Sequence, residues 1–419
     1  MVILRNMETK DDKLVLGGVS AEEIVKKFGS PCYVYEEDVI LQKYDELDKA
    51  ITYGKKKLLF ACKANTNAVV MKKLLEKGVG LDVVSVGEMQ LALDIGFKPE
   101  DILFTATAPT DEELQEAIDA GVVMNMDSLS EMTRYGKLNK GGKCSIRINP
   151  EFGAGFHGHV VTGGPDSKFG VYHDKVDEIK KIAEEFDLTV IGLHMHVGSR
   201  YLKPDQFYKA MDILLGVAKE FDTLEFVDFG GGIGVVYSPD EKMFDINEYG
   251  KKVSKIFTEF CKDYGKELEM IFENGRWFVA EAGFLLCTVN TLKSTPKFKF
   301  AGVDTGFHHL LRPAMYGAYH EIYNASHMNG KKEDIVIAGN ICESCDTFTR
   351  DEDGVKSRSL PTISEGDVLA IGNAGAYGYT MASQYNTRGR PAEVMVKNGK
   401  MELVRAAETY KDVIRGQLI

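Results

Sequence analysis

Several stretches of this chain place chemically capable residues directly after apolar runs. Lys63 closes the run Leu58-Leu59-Phe60-Ala61-Cys62 and is followed by Ala64-Asn65. A lysine among Phe60, Ala61 and Ala64 has a partly desolvated ammonium, which lowers its pKa and favours a neutral amine able to form a Schiff base. Taken alone, the same stretch also suits a lysine that caps a strand and reaches solvent. Four further groups recur in the same position relative to an apolar run. They are Asp82 with Glu88, His194 and His196 before Ser199, the run Gly230-Gly231-Gly232-Ile233-Gly234, and Glu273-Asn274-Gly275-Arg276. One such group is compatible with chance, whereas four on a single face form a site.

The glycine run, set between a strand and a helical stretch, is expected to bring several backbone amides onto one phosphate. Ser199 and Arg276 add a hydroxyl and a guanidinium for the same anion. No lysine follows the glycines as in a nucleotide P-loop, so a lone phosphate suits them better. An aldehyde held by Lys63, with a phosphate held by glycines, means pyridoxal phosphate. A carboxylate at Glu273 beside the ring nitrogen would keep that nitrogen protonated and strengthen the electron sink. The alternatives are an ion pair of Glu273 with Arg276, and for His196 a satisfied core histidine instead of one stacked on the ring.

These residues need a scaffold that puts strand ends on one face. Strand patterns fall at 57–63, 79–85, 101–107, 122–127, 143–149, 189–198, 224–230 and 268–273. Helical periods fall at 68–77, 87–95, 111–120, 128–138, 173–186, 204–221 and 245–263. Eight alternations predict a (β/α)8 TIM-like barrel, whose chemistry lies at the carboxyl ends of its strands. A doubly wound sheet is the alternative, but no Gly-x-Gly-x-x-Gly turn follows the first strand. After residue 284 the pattern changes to strands at 285–292, 298–303, 335–341, 367–371, 393–396 and 401–405, with Asn398-Gly399 as a turn signal. The expected division is a barrel over 35–284 and an all-β domain formed by 1–34 plus 285–419. The first of these β-domain segments also holds a helix over 21–28, stopped by Gly29-Ser30-Pro31, and a strand from Cys32 to Tyr35.

Composition narrows the class. The 419 residues are 44% hydrophobic and 27% charged, as in a soluble globular protein, and the net charge of −12 argues against a nucleic-acid partner. No apolar run reaches the ~18 residues of a membrane span, and the first 30 residues lack a signal-peptide core, so a cytoplasmic protein is expected. Seven scattered cysteines do not form a disulfide framework. Cys342-Glu343-Ser344-Cys345 is a lone C-x-x-C without the second pair of a structural zinc site, so no metal is expected.

Phe60 to Asn65, Asp82-Val83-Val84-Ser85 with Gly87-Glu88, His196-Val197-Gly198-Ser199 and Gly230-Gly231-Gly232 together resemble the alanine-racemase-fold decarboxylases that use pyridoxal phosphate. Arg312-Pro313-Ala314-Met315-Tyr316, Cys342-Glu343-Ser344 with Asp346, Gly375-Ala376-Tyr377-Gly378 and the segment Asn386 to Val394 are similar to the diaminopimelate decarboxylase family. The resemblance runs from about Cys32 to Ile414. It implies Lys63 as the Schiff-base lysine, His196 stacked on the ring, and Glu273 on the pyridine nitrogen. Asp82, Ser199, Gly230, Gly231, Gly232, Gly275, Arg276 and Tyr377 would surround the cofactor, with Arg276 and Tyr377 also touching substrate. Arg312, Tyr316 and Glu343 would hold the substrate's distal amino-acid end. Cys342 would protonate the carbanion, with Cys342 and Glu343 reaching the partner's site in a head-to-tail homodimer. The implied reaction is decarboxylation of meso-2,6-diaminopimelate to L-lysine and carbon dioxide; the alternatives are a related diamino-acid substrate (lysine, ornithine or a biosynthetic conjugate) or a non-catalytic relative. The chain departs from the family pattern at Arg200, Asn274 and Thr105-Ala106-Thr107-Ala108-Pro109.

Overall fold

The computed structural model describes residues 8–151, 153 and 163–418. The chain divides into two compact units, one made of Lys43–Val235 and Lys242–Trp277, the other of the chain up to Gln42, Val236–Glu241 and everything from Phe278.

The first unit is built on eight parallel strands: β1 Lys56–Ala61, β2 Gly80–Val83, β3 Ile102–Phe104, β4 Val123–Met126, β5 Lys143–Asn149, β6 Thr189–His194, β7 Phe226–Asp228 and β8 Glu269–Glu273. Each pairs with the next, and β8 closes on β1 with Phe272 opposite Leu58, giving a closed barrel with helices in the connections. Strands paired on both edges and covered by helices must be apolar almost throughout. Leu59, Leu103, Ile191, Phe226 and Ile271 form one interior cluster from five strands. The connecting helices start where a short polar side chain can take up orphan amides. Asn67 caps Ala68–Leu75, Ser85 caps Val86–Asp94, Thr110 and Glu113 form a capping box on Asp111–Ala120, Ser128 caps Leu129–Leu138, and Asp245 caps Ile246–Tyr264.

The second unit is organised on the long strand Gly283–Ser294. Its first half pairs antiparallel with Cys32–Glu36 on one side and Val368–Ile371 on the other, and its second half pairs with Lys299–Val303. Ala392–Lys397 joins Cys32–Glu36 in parallel and turns back through Asn398-Gly399 into Lys400–Arg405. Cys32, Val34, Phe284, Leu286, Ala370, Val394 and Val396 share its core with Ala21 and Ile24 of the helix Ala21–Phe28. The boundaries expected at 34/35 and 284/285 both lie inside strands of this sheet.

The second unit is strand-rich, as expected, and carries the helix expected over 21–28 together with the short helices Arg312–Tyr316 and Tyr410–Val413. The helix Glu37–Ala50 had no sequence signal at its start, since it follows Cys32–Glu36 directly with no turn or capping residue. Strand β1 ends at Ala61, and Lys63 sits in the single 3-10 turn Cys62–Ala64.

Candidate active site

Lys63 and Asp82 are brought together by adjacent strands. The turn Cys62–Ala64 lifts Lys63 off the end of β1, and its ammonium forms an ion pair with the carboxylate of Asp82, which lies within β2. Lys63 is therefore held by a charge and not merely surrounded by apolar groups. Asp82 is only 1% exposed. Burial, followed by repulsion from Glu273, pushes its carboxyl up to about 6 against the pull of Lys63. Glu88, by contrast, accepts from the Val84 amide at 2.8 Å while Ser85 accepts from its own amide. Glu131 does the same for Asp127, with Ser128 as its cap. This repeated Ser-x-x-Glu arrangement assigns Glu88 to holding a helix start.

A second group lies at the ends of β6, β7 and β8. His194 Nε2 meets Glu273 Oε2 at 3.1 Å, and Asp228 joins them, all three fully buried. Glu273 is thus paired with a histidine, while the Arg276 guanidinium donates a hydrogen bond to Ser199 Oγ at 3.0 Å. Burial opposes the Glu273 charge, but His194 and the nearby Lys63 outweigh it and hold its carboxyl well below the usual range. His196 lies just beyond β6. Burial, with the cations Arg147 and Lys63 nearby, pushes its imidazole well down, so it is neutral.

The glycine run is needed for close packing more than for offering amides. A Cβ on Gly231 would sit 1.8 Å from the Glu273 carbonyl oxygen, and one on Gly230 would sit 2.2 Å from that of Met195. The Gly230 amide donates to Asp228 Oδ1 at 2.7 Å and the Gly231 amide to His196 Nδ1 at 3.3 Å. Two of the expected phosphate donors are therefore engaged within the site. The helix beyond the run begins only at Ile246, so the run does not form a helix N-terminus either. Ser199 and Arg276, hydrogen-bonded to each other, and the Gly232 amide are the groups that would be left for an anion.

The comparisons decide the family. Residues 37–280 match the family model for the pyridoxal-dependent decarboxylases, pyridoxal binding domain. The diaminopimelate decarboxylase of Methanothermobacter thermautotrophicus is 44% identical over 414 residues, covering 96% of this chain and 95% of that protein. The chain belongs to the diaminopimelate decarboxylase family. The Archaeoglobus fulgidus diaminopimelate decarboxylase is 36% identical, with 98% of each chain covered. The crystal structure of the M. jannaschii diaminopimelate decarboxylase in co-complex with L-lysine superposes with a TM-score of 0.90 at 34% identity, covering 99% of this chain and 98% of that one. A lysine/ornithine decarboxylase from Vibrio vulnificus, at 23% identity and a TM-score of 0.77, shares the fold.

As in the rest of the diaminopimelate decarboxylase family, the cofactor is pyridoxal phosphate, and the barrel residues fit it. Lys63 would supply the amine. Glu273 Oε1 is a buried acceptor without a hydrogen-bond partner, as a protonated ring nitrogen requires. His196 offers a neutral ring, and Ser199 with Arg276 provides a hydroxyl and a cation for phosphate. Gly275 lets Arg276 enter next to β1, since a Cβ there would lie 2.8 Å from the Ala61 carbonyl oxygen.

Two functional candidates were missed in the sequence. Arg147, buried inside β5, lies 3.5 Å from Asp127 and 4.5 Å from the Phe169 ring. Its signal was an arginine inside the otherwise apolar Cys144 to Ile148. Asp228, the last residue of β7, was masked by the glycines that follow it.

The remaining expected residues belong to the second unit and are described within it. Arg312, 1% exposed, opens the helix Arg312–Tyr316. Its Nε donates to His320 Nε2 at 3.3 Å, and its guanidinium lies 5.1 Å from the Tyr237 ring and 5.8 Å from Tyr316. Cys342 and Glu343 are exposed, on a loop anchored by Asp346, which accepts from the amides of Phe307 and Ile341 at 2.7 Å each. Tyr377 has φ 56°, in the left-handed region where a bulky residue is uncommon.

Proposed function

We propose that this member of the family decarboxylates meso-diaminopimelate to L-lysine and carbon dioxide. The observation that carries the reading is the cluster at the barrel's strand ends, where Lys63 and the buried Glu273 stand with the neutral His196 and the Ser199–Arg276 pair. Bound pyridoxal phosphate supplies the electron sink for the pair left when the carboxylate departs. Lys63 holds the cofactor through its amine, with Asp82 orienting that amine. Glu273 holds a proton on the ring nitrogen, His196 covers the ring face, and Ser199, Arg276 and the Gly232 amide hold the phosphate, helped by Tyr377.

Arg312 grips the substrate's distal carboxylate and Tyr316 adds a hydroxyl, while Glu343 accepts from the distal ammonium. Cys342 delivers the proton from Sγ to the substrate's α-carbon. The exposure of Cys342 and Glu343 supports their service to a neighbouring copy's site in a head-to-tail homodimer. Seven free thiols support a cytoplasmic location; among the described residues no helix is long and apolar enough to cross a membrane.

A product assay on meso-diaminopimelate, lysine and ornithine with added pyridoxal phosphate tests the reading. L-lysine from diaminopimelate is expected, with turnover at least about a hundredfold lower in Arg312→Ala, the cost of leaving a carboxylate without its partner. Efficient release of cadaverine from lysine would overturn it.

A further inference from the structure

Three carboxyl groups, of Asp82, Asp228 and Glu273, are buried together at the strand ends of the barrel, each at most 5% exposed. The cations facing them are Lys63, ion-paired with Asp82, and Arg147, beside Asp127; His194 contacts Glu273. Three negative charges cannot be kept in so small a dry volume by those cations without a large electrostatic cost.

The hydrogen bonds show where a proton resolves this. Asp228 Oδ1 accepts from the Gly230 amide at 2.7 Å, and Glu273 Oε2 meets His194 Nε2 at 3.1 Å. The other oxygens, Asp228 Oδ2 and Glu273 Oε1, are buried without a hydrogen-bond partner, although the two carboxyl groups interact directly and ligand atoms of His194, Asp228 and Glu273 lie within 4.8 Å of one another. Two facing bare acceptors repel, whereas one proton between them satisfies both.

We propose that Asp228 is a positioning residue that works as a neutral carboxylic acid, donating from Oδ2 to Glu273 while His194 donates to the other Glu273 oxygen. Burial and the Glu273 charge both push the Asp228 carboxyl well up, in keeping with this geometry. A carboxylate has about four acceptor sites, so Glu273 still has room for the cofactor's ring nitrogen. Asp228 and His194 lower the basicity of Glu273. The shared proton therefore stays on the ring and is not drawn onto the carboxylate.

The inference rests on the proposed function, and its test separates the two. Infrared spectra of the holoenzyme with aspartate 13C-labelled in the side-chain carboxyl should show a protonated-carboxyl stretch at neutral pH that Asp228→Asn removes. The Asn amide keeps a neutral donor toward Glu273 and an acceptor toward Gly230. Turnover in Asp228→Asn should therefore fall by no more than about fivefold, the worth of one neutral hydrogen bond. Asp228→Ala should lower kcat by about ten- to a hundredfold with KM little changed, as for loss of an orienting partner. The 15N resonance of labelled cofactor should move toward the unprotonated ring in Ala but not in Asn. Absence of the band in a protein that binds cofactor and decarboxylates normally overturns the inference and leaves the function standing, as does an Asn variant as impaired as Ala. The band in a protein that turns over no amino acid supports the proton on Asp228 and defeats the function.

Discussion

At the strand ends of the barrel, every candidate group is locked by another. Lys63 is paired with Asp82, Glu273 with His194, Arg276 with Ser199, and His196 accepts from the Gly231 amide. The loop after Lys332–Ala338 in the strand-rich unit is arranged the opposite way. Its backbone is tied down through Asp346, but Cys342 and Glu343 are exposed; the Cys342 thiol lies 3.4 Å from Asn386, and Glu343 is met by the Cys345 thiol at 3.6 Å. Groups that must hold one geometry against a bound cofactor are best buried and mutually constrained. A thiol and a carboxylate meant for a partner must stay exposed until the partner covers them. The contrast separates a preorganised anchor from a component offered to another chain.

The largest effect expected follows from the anchor. On the proposed reading, Lys63→Ala removes the covalent hold on the cofactor, and it takes from the buried Asp82 its ion-pair partner. Turnover should fall by at least about a thousandfold, as for loss of a covalent catalytic group. Borohydride treatment of the wild type should fix the cofactor on the peptide containing Lys63, and the variant should yield no such peptide. Label fixed on another lysine would break the contrast, because the barrel cluster would then be only a structural ion-pair network.

A mixing experiment sharpens the other half. If Cys342 serves the neighbouring copy, inactive Lys63→Ala and inactive Cys342→Ala subunits should complement. With free exchange into symmetric dimers, about a quarter of all sites combine two intact halves by counting. Activity should recover toward that fraction, measured after exchange has been verified with differently tagged subunits. No recovery after demonstrated exchange would place Cys342 at its own chain's site.

The barrel was legible in the sequence because eight short apolar runs alternate with helical periods, and those runs are the eight paired strands of the closed barrel. The chemistry-bearing residues were legible by type, but their pairings were not. Glu273 was weighed against Arg276, which is near in sequence, whereas its partner His194 is 79 residues away. Glu88 looked like a site residue because a capping glutamate and a catalytic one share the same place after a strand; only the 2.8 Å bond to Val84 distinguishes them. Asp228 and Arg147 were missed because a charged residue inside an apolar strand reads as noise until the closed barrel turns it inward. The helix Glu37–Ala50 escaped because strand passes to helix there without punctuation.

The smallest effect expected concerns the balance inside the anchor itself, where two forces on Asp82 oppose one another. The ion pair with Lys63 favours the carboxylate, and burial with the Glu273 charge favours the acid. Burial wins, and the folded-state value is pushed up from 3.8 to about 6. An acid raised in this way binds more protons in the folded than in the unfolded chain between those values. The stability it contributes is therefore present at low pH and falls as pH rises through that window. Asn has no proton to lose. Measured by urea unfolding of cofactor-stripped protein, the stability of the wild type relative to Asp82→Asn should drop by about 2 kcal/mol between pH 4 and pH 7 and then level off, since each tenfold change in proton affinity is worth about 1.4 kcal/mol. If the ion pair were the stronger force, the folded value would lie below 3.8, and the same difference would rise on leaving acid. The sign of that slope decides whether Lys63 is held by a carboxylate that is stable in the barrel or by one kept charged at the fold's expense.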